Sequence, residues 1–354
     1  MKPVIFGLSG LELTSDERSF FKEADAAGYI LFARNIEGRA QMRALTDSLR
    51  ELHGNNDLPI LIDQEGGRVV RMKPPVWPDF PAGGSFDALY DVSPMAAIEA
   101  ARVNAEALAL TLDEVGVTVN CLPVLDVLVP ETHAAIGDRA LGDNPMKVAA
   151  LGRAIIDGLA RGGVVGCVKH MPGQGRAAID SHYDLPHVSA SAKELEQDLE
   201  PFRKLSDAPM GMTGHIMFDA WDKELCSTMS PTIINDVIRS QIGFDGLLMS
   251  DDLDMKALSG DVSDRAAGCV EAGCDIALNC WGRMDEMIRI ANKLPDIGAK
   301  AKERLDVAMV DRKQAAPQDE LAGLLAKRDT LLNQAGDGAG AKLTKAPTGA
   351  SHGA

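Results

Sequence analysis

Asp251 is the first residue in this chain whose chemistry needs an explanation. It follows the apolar run Gly246-Leu247-Leu248-Met249 and Ser250, and a carboxylate at the end of such a run is costly to bury without a purpose. It is the best nucleophile candidate on physical grounds. A second feature is Asp180-x-His182. A carboxylate beside an imidazole fixes one tautomer and raises the basicity of the ring, which makes a general acid/base suited to neutral pH. Spacing alone favours a plainer reading, an exposed loop histidine beside a capping aspartate.

Other polar groups also stand where apolar runs end. Asp63 closes Leu61-Ile62 and can accept two hydroxyl hydrogen bonds. Gly66-Gly67 then allows a tight turn, with Glu65 and Arg68 read as a structural ion pair beneath it. Arg71 is within reach of the same place. Asp126 ends the next run, and a structural tie or a ligand contact accounts for it equally well. Arg139 follows in the loop. Lys169-His170 end a further run, and an extended strand would point them to opposite sides. A lysine there could also form a Schiff base. His215 ends the run after that.

Eight β-rich runs position these groups: 3–9, 29–36, 59–64, 117–127, 164–170, 209–217, 245–251 and 275–280. Segments with helical spacing separate most of them. In 94–112, Ile98, Ala101, Ala105, Leu108 and Leu112 recur at intervals of three and four. Ser230-Pro231 reads as an N-cap and first helical position. Such alternation predicts an α/β protein, a single (β/α)8 barrel whose strand ends converge on one mouth. An open doubly wound sheet fits less well, because no GxGxxG follows the first strand. The barrel is expected over 1–314. A C-terminal extension, 315–354, carries one helix in DELAGLLAKRDTLLNQ and a Gly/Ala-rich end expected to be flexible.

Composition narrows the class. The 354 residues are 25% charged and 45% hydrophobic. Lys plus Arg is 36 against 52 Asp plus Glu, a net charge of −16, which argues against nucleic acid or an anionic membrane as partner. No apolar run nears the roughly 20 residues of a membrane span. The N-terminus lacks a secretory pattern. The six cysteines, with no CxxC pair, read as buried structural thiols. A cytoplasmic location is expected.

Together these segments resemble glycoside hydrolase family 3, in particular its small β-N-acetylhexosaminidase branch. The resemblance is carried by LIDQEGGRVVRM, IGDRALGDNP, KHMPGQGRAAIDSHYDLP and FDGLLMSDDLDM, with weaker support from NCLPVLDV, MTGHIMF and EAGCDIALNC. It covers about residues 1–300. It implies Asp251 as nucleophile, His182 as acid/base and Asp180 as its partner. It further implies that Asp63, Arg71, Arg139, Lys169 and His170 bind a terminal N-acetylglucosamine. The implied enzyme is a monomer that removes this sugar from muropeptides in bacterial cell-wall recycling, with no cofactor or metal. Three departures from the family pattern stand out. Met171 and Gln174 replace an aromatic residue and a histidine, Ala140-Leu141 replace Ser-Phe, and Arg176 replaces a frequent aspartate. Rival readings are a phosphorylase of the same family, a metal-dependent hydrolase built on His170, His215 and Asp251, and a sugar-binding barrel without catalysis.

Overall fold

The computed structural model describes residues 1–310 and 320–335. Eight parallel strands close into a barrel. They are β1 (Lys2–Gly7), β2 (Ala26–Leu31), β3 (Ile60–Ile62), β4 (Val119–Asn120), β5 (Val165–Met171), β6 (Met210–Thr213), β7 (Leu247–Asp252) and β8 (Ile276–Asn279). Each strand pairs with its neighbours in sequence, and β1 closes the ring by pairing Val4 with Ala277 and Phe6 with Asn279 of β8. All eight predicted runs therefore contribute one barrel strand each.

The runs and the strands differ at their ends, for local reasons. The fourth run is a regular strand only to Asn120, and beyond it the chain keeps irregular backbone bonds to β5, Lys169 N donating to Pro123 O at 3.0 Å and Leu125 N to Lys169 O at 2.7 Å. The second run starts its strand earlier, at Ala26. Its far end folds into a helical turn, Ala33–Asn35, where Asn35 Nδ2 donates to the carbonyls of Leu8 and Gly10. The helix Pro94–Glu114 spans its predicted segment. Ser230 Oγ accepts from Ile233 N at 3.1 Å, as expected of a cap.

Side chains alternate along each strand, so one face fills the barrel and the other meets the helices. Ile5, Leu61, Val119, Val165, Cys167, Met210, Met212, Leu247, Met249, Ile276 and Leu278 form the interior cluster. Leu305, Ala308 and Met309 of the helix Ala299–Val310 join that cluster at one end. All six cysteines are free and buried. In the extension expected from residue 315, the helix Leu321–Leu332 packs against Pro94–Glu114. Its Arg328 guanidinium donates to Asp79 O at 3.0 Å and to Asn104 Oδ1 at 3.3 Å. The Gly/Ala-rich end lies outside the described residues. Among the described residues no helix is long and apolar enough to cross a membrane.

Candidate active site

The alternation that fills the barrel also selects its top layer. Leu61, Cys167 and Met249 point inward, so the residues two further along their strand directions, Asp63, Lys169 and Asp251, belong to the same face. Side chains from three separate strands thus crown one apolar stack at its C-terminal end, where barrels place their ligands.

Asp63 and Lys169 meet directly, with Nζ to Oδ1 at 2.9 Å, and Arg71 Nη2 stands 3.6 Å from Asp63 Oδ2. Arg71 lies over the Phe32 ring at 5.2 Å, while its buried Nε has no hydrogen-bond partner. Burial would raise the Asp63 carboxyl, but the Lys169 ammonium and the Arg71 guanidinium outweigh it and hold it below the usual range. The carboxylate is therefore ionised and ready to accept hydroxyl donors. Lys169 also contacts Glu65 at 2.6 Å. Burial alone would favour its neutral form, yet Asp63 and Glu65 raise its pKa far above the ordinary value. A lysine so firmly protonated is no Schiff-base nucleophile.

Glu65 departs from its expected pairing. Its carboxylate takes a two-pronged contact from Arg139, Nε to Oε2 at 2.8 Å and Nη2 to Oε1 at 2.9 Å. Arg68 turns away to Asp138 and to the carbonyls of Ala134 and Ala135. The tight turn itself is as expected, with φ of 108° at Gly66 and 57° at Gly67. A side chain at Gly66 would collide with the Pro81 carbonyl. Burial pushes Glu65 up, but Arg139 and Lys169 override this and pull it well below 4.5. Its folded value is depressed, so its stabilising contribution is fully present above about pH 4.5 and is lost as pH falls toward the folded value. Glu65→Gln would take from buried Arg139 its paired carboxylate and from Lys169 one of its two. We expect a loss of roughly 3–5 kcal/mol, measured by denaturant unfolding at neutral pH. An unchanged midpoint would show that the cations find other partners.

Lys169 and His170 do not part to opposite sides. The register of β5 against β6 shifts between Val168 and Met171, and both residues join one network. His170 Nδ1 is 2.7 Å from Asp126 Oδ2, and His170 Nε2 is 3.4 Å from Arg139 Nη2. Asp126 is fully buried, and its Oδ1 accepts from the backbone of His170 at 3.2 Å and of Gln174 at 2.7 Å. It is the structural tie of the two readings left open for it. His215 uses Nδ1 on Thr228 Oγ1 and Nε2 on Asp252 O. Burial lowers its pKa, against the opposing charge of Asp251. His170 and His215 thus engage different partners rather than converging with Asp251. Among the described residues no three His, Cys, Asp or Glu side chains form a metal-binding group.

The long loop after β5 carries the Asp180–His182 pair. Asp180 Oδ1 lies 2.7 Å from His182 Nδ1 and accepts His182 N at 3.0 Å. The His182 side chain is 47% exposed and that of Asp180 10%, so the ring can meet a ligand while its orienting carboxylate is covered. The Asp180 hydrogen bond raises the His182 pKa, burial opposes it, and the nearby Asp251 charge adds to the rise. The loop is anchored at its far end, where His187–Val188 pairs with Met217–Phe218 beyond β6. Arg176 braces it from below, Nε to Asp198 Oδ2 at 2.8 Å.

Geometry also separates the two aspartates that end β7. Asp252 Oδ1 accepts from Asp254 N and Cys280 N. Its pKa is raised by burial, then by the charges of Asp254 and Asp251. Asp251 Oδ1 accepts from Asp252 N at 2.8 Å, and its charge is felt by both His182 and His215. The groups that sequence reasoning undervalued are Glu65, Asp126 and His215. Their strand-end positions were the available signal, but their partners lie 74, 44 and 13 residues away along the chain.

Known proteins are similar to this chain over most of its length. A family model described as the glycosyl hydrolase family 3 N-terminal domain matches residues 6–312. A beta-hexosaminidase from Bordetella avium is 36% identical over 283 residues, 78% of this chain and 80% of its own. One from Alkalilimnicola ehrlichii is 37% identical over 299 residues, 83% of this chain and 84% of its own. The crystal structure of NagZ from Neisseria gonorrhoeae with N-trifluoroacetyl-D-glucosamine superposes with a TM-score of 0.83 at 31% identity, covering 95% of this chain and 98% of that one. With a barrel of this topology, charged groups at the ends of its strands and matches of this extent, the chain belongs to glycoside hydrolase family 3.

Proposed function

We propose that this protein is a retaining exo-β-N-acetylglucosaminidase acting on muropeptides in bacterial cell-wall recycling. The observation that carries the reading is the hydrogen-bonded Asp180–His182 pair, on a loop whose histidine feels the charge of Asp251 at the barrel mouth. Two groups across a scissile bond are what retaining hydrolysis requires. Asp251 attacks the anomeric carbon while His182 protonates the departing oxygen. Water then attacks the covalent sugar as His182 takes a proton back. Asp180 orients the ring and stabilises its cationic form.

The neighbouring network has the chemistry of a sugar subsite. Asp63 accepts hydroxyl hydrogen bonds, held in place by Lys169 and Arg71. Arg139, fixed by Glu65, offers donors to the sugar ring and its N-acetyl group, and His170, fixed by Asp126, lines the same place. The beta-hexosaminidase names of the relatives support this substrate class. One terminal sugar would occupy the mouth while the rest of the muropeptide stays in solvent. We propose that a single chain in the cytoplasm performs this without a cofactor.

Purified protein is expected to release free N-acetylglucosamine from an aryl N-acetyl-β-glucosaminide and from an N-acetylglucosaminyl anhydro-muropeptide. Products are separated by chromatography with and without added phosphate. Sugar 1-phosphate as the main product would replace hydrolysis by phosphorolysis. No product from either substrate would reject the activity.

A further inference from the structure

The Asp180–His182 pair is internally well tied but not thereby located. Asp180 folds back onto the backbone and ring of His182, and its carbonyl accepts from Tyr183 N and Asp184 N. These contacts lie within one short turn and set the shape of the tripeptide; its place over the barrel rests on a long backbone bond, Lys256 N to His182 O at 3.4 Å, and on the residue between the pair. The residue between the pair, Ser181, differs from both. It is 1% exposed, and its Oγ accepts from Gln174 Nε2 at 3.1 Å.

Gln174 is rooted in the barrel rather than in the loop. Its backbone N–H donates to Asp126 Oδ1 at 2.7 Å, the carboxylate that also holds His170. A line of hydrogen bonds thus runs from Asp126, in the segment after β4, through Gln174 to Ser181, the residue flanked by the acid/base and its partner. The other end of the Gln174 amide, Oε1, is buried without a hydrogen-bond partner. An apolar side chain of similar length would avoid that unmet acceptor. The amide is therefore explained by its N–H.

We propose that Gln174 is a positioning residue for general acid/base catalysis, tethering Ser181 so that His182 stands over the glycosidic oxygen. This rests on the mechanism proposed above and adds a residue to it. Gln174 touches neither the sugar nor the reacting atoms. Loss of the tether leaves the Asp251 attack intact and weakens proton delivery. It should hurt substrates whose leaving group needs a proton and spare those whose leaving group departs unaided.

The test is Gln174→Leu, which keeps length and removes the donor. We expect kcat/KM on a sugar or alkyl N-acetyl-β-glucosaminide to fall about tenfold or more, with kcat/KM on the dinitrophenyl glycoside nearly unchanged. Ser181→Ala should give the same split, and Gln174→His, which restores a donor, should recover the poor substrate. Amide hydrogen exchange supplies a readout that does not depend on the reaction. The His182 N–H should exchange faster in Gln174→Leu than in the parent protein. Unchanged exchange at His182 overturns the tether, whatever the kinetics. Faster exchange without a split between substrates retains the tether but rejects the acid/base role given to His182.

Discussion

Asp251→Asn is expected to lower turnover of an aryl N-acetyl-β-glucosaminide by at least about 10³-fold, because an amide cannot form the covalent glycosyl intermediate. The variant should remain folded. Asp251 adds to the raised pKa of Asp252, so neutralising it relieves like-charge crowding at the end of β7. The adjacent substitution is the control that gives the experiment its meaning. Asp252→Asn keeps an oxygen able to accept from Asp254 N and Cys280 N. It should cost far less, since Asp252 braces the strand end and does not attack. A chromogenic assay with both variants, checked by circular dichroism, separates the two roles. Comparable activity of Asp251→Asn and the parent would remove Asp251 as nucleophile. A collapse in Asp252→Asn with Asp251→Asn active would exchange them.

Much of this site follows from alternation. Once Leu61, Cys167 and Met249 are taken as barrel-facing, period two carries Asp63, Lys169 and Asp251 to the same layer, and no contact information is needed. The loop pair was legible in a weaker form, since Asp180-x-His182 is equally the pattern of a capped exposed turn. Only the placement of that turn near Asp251 changes its meaning. The partner choices were not legible. Glu65 had a nearby arginine three residues on, and proximity in sequence suggested that pair. The tight turn instead aims Arg68 outward to Asp138, while Arg139 enters from a loop 74 residues away. Long-range charge pairing depends on how two loops cross the barrel rim, and hydrophobic pattern carries no record of that. The same limit applies to His170. Its network depends on a register shift late in β5, where an extended strand would have turned it away.

His182→Ala should divide substrates by leaving group. Protonation by a positioned acid contributes typically about 10²–10⁴-fold. A loss of that size in kcat/KM is expected where the departing group is a sugar alcohol, and little loss where it is a dinitrophenolate. Release of the second product needs a base, so kcat on the activated substrate should still fall. Azide attacks the glycosyl intermediate without needing a proton removed. It should therefore restore that kcat and yield the β-glycosyl azide. The pH profile tests the partner. Delivering a proton requires the imidazolium form, and Asp180 raises the His182 pKa above the ordinary 6.5, with Asp251 adding to the effect. Activity on the poor substrate should accordingly fall on the alkaline side at a pH above 6.5. Asp180→Asn weakens the hydrogen bond that raises the His182 pKa most and removes the Asp180 charge, so this limb should move to lower pH while Asp251 still attacks. An alkaline limb that stays in place would mean that the proton comes from another group. A limb that moves down, together with azide rescue of His182→Ala, ties the proton to His182 and its poise to Asp180.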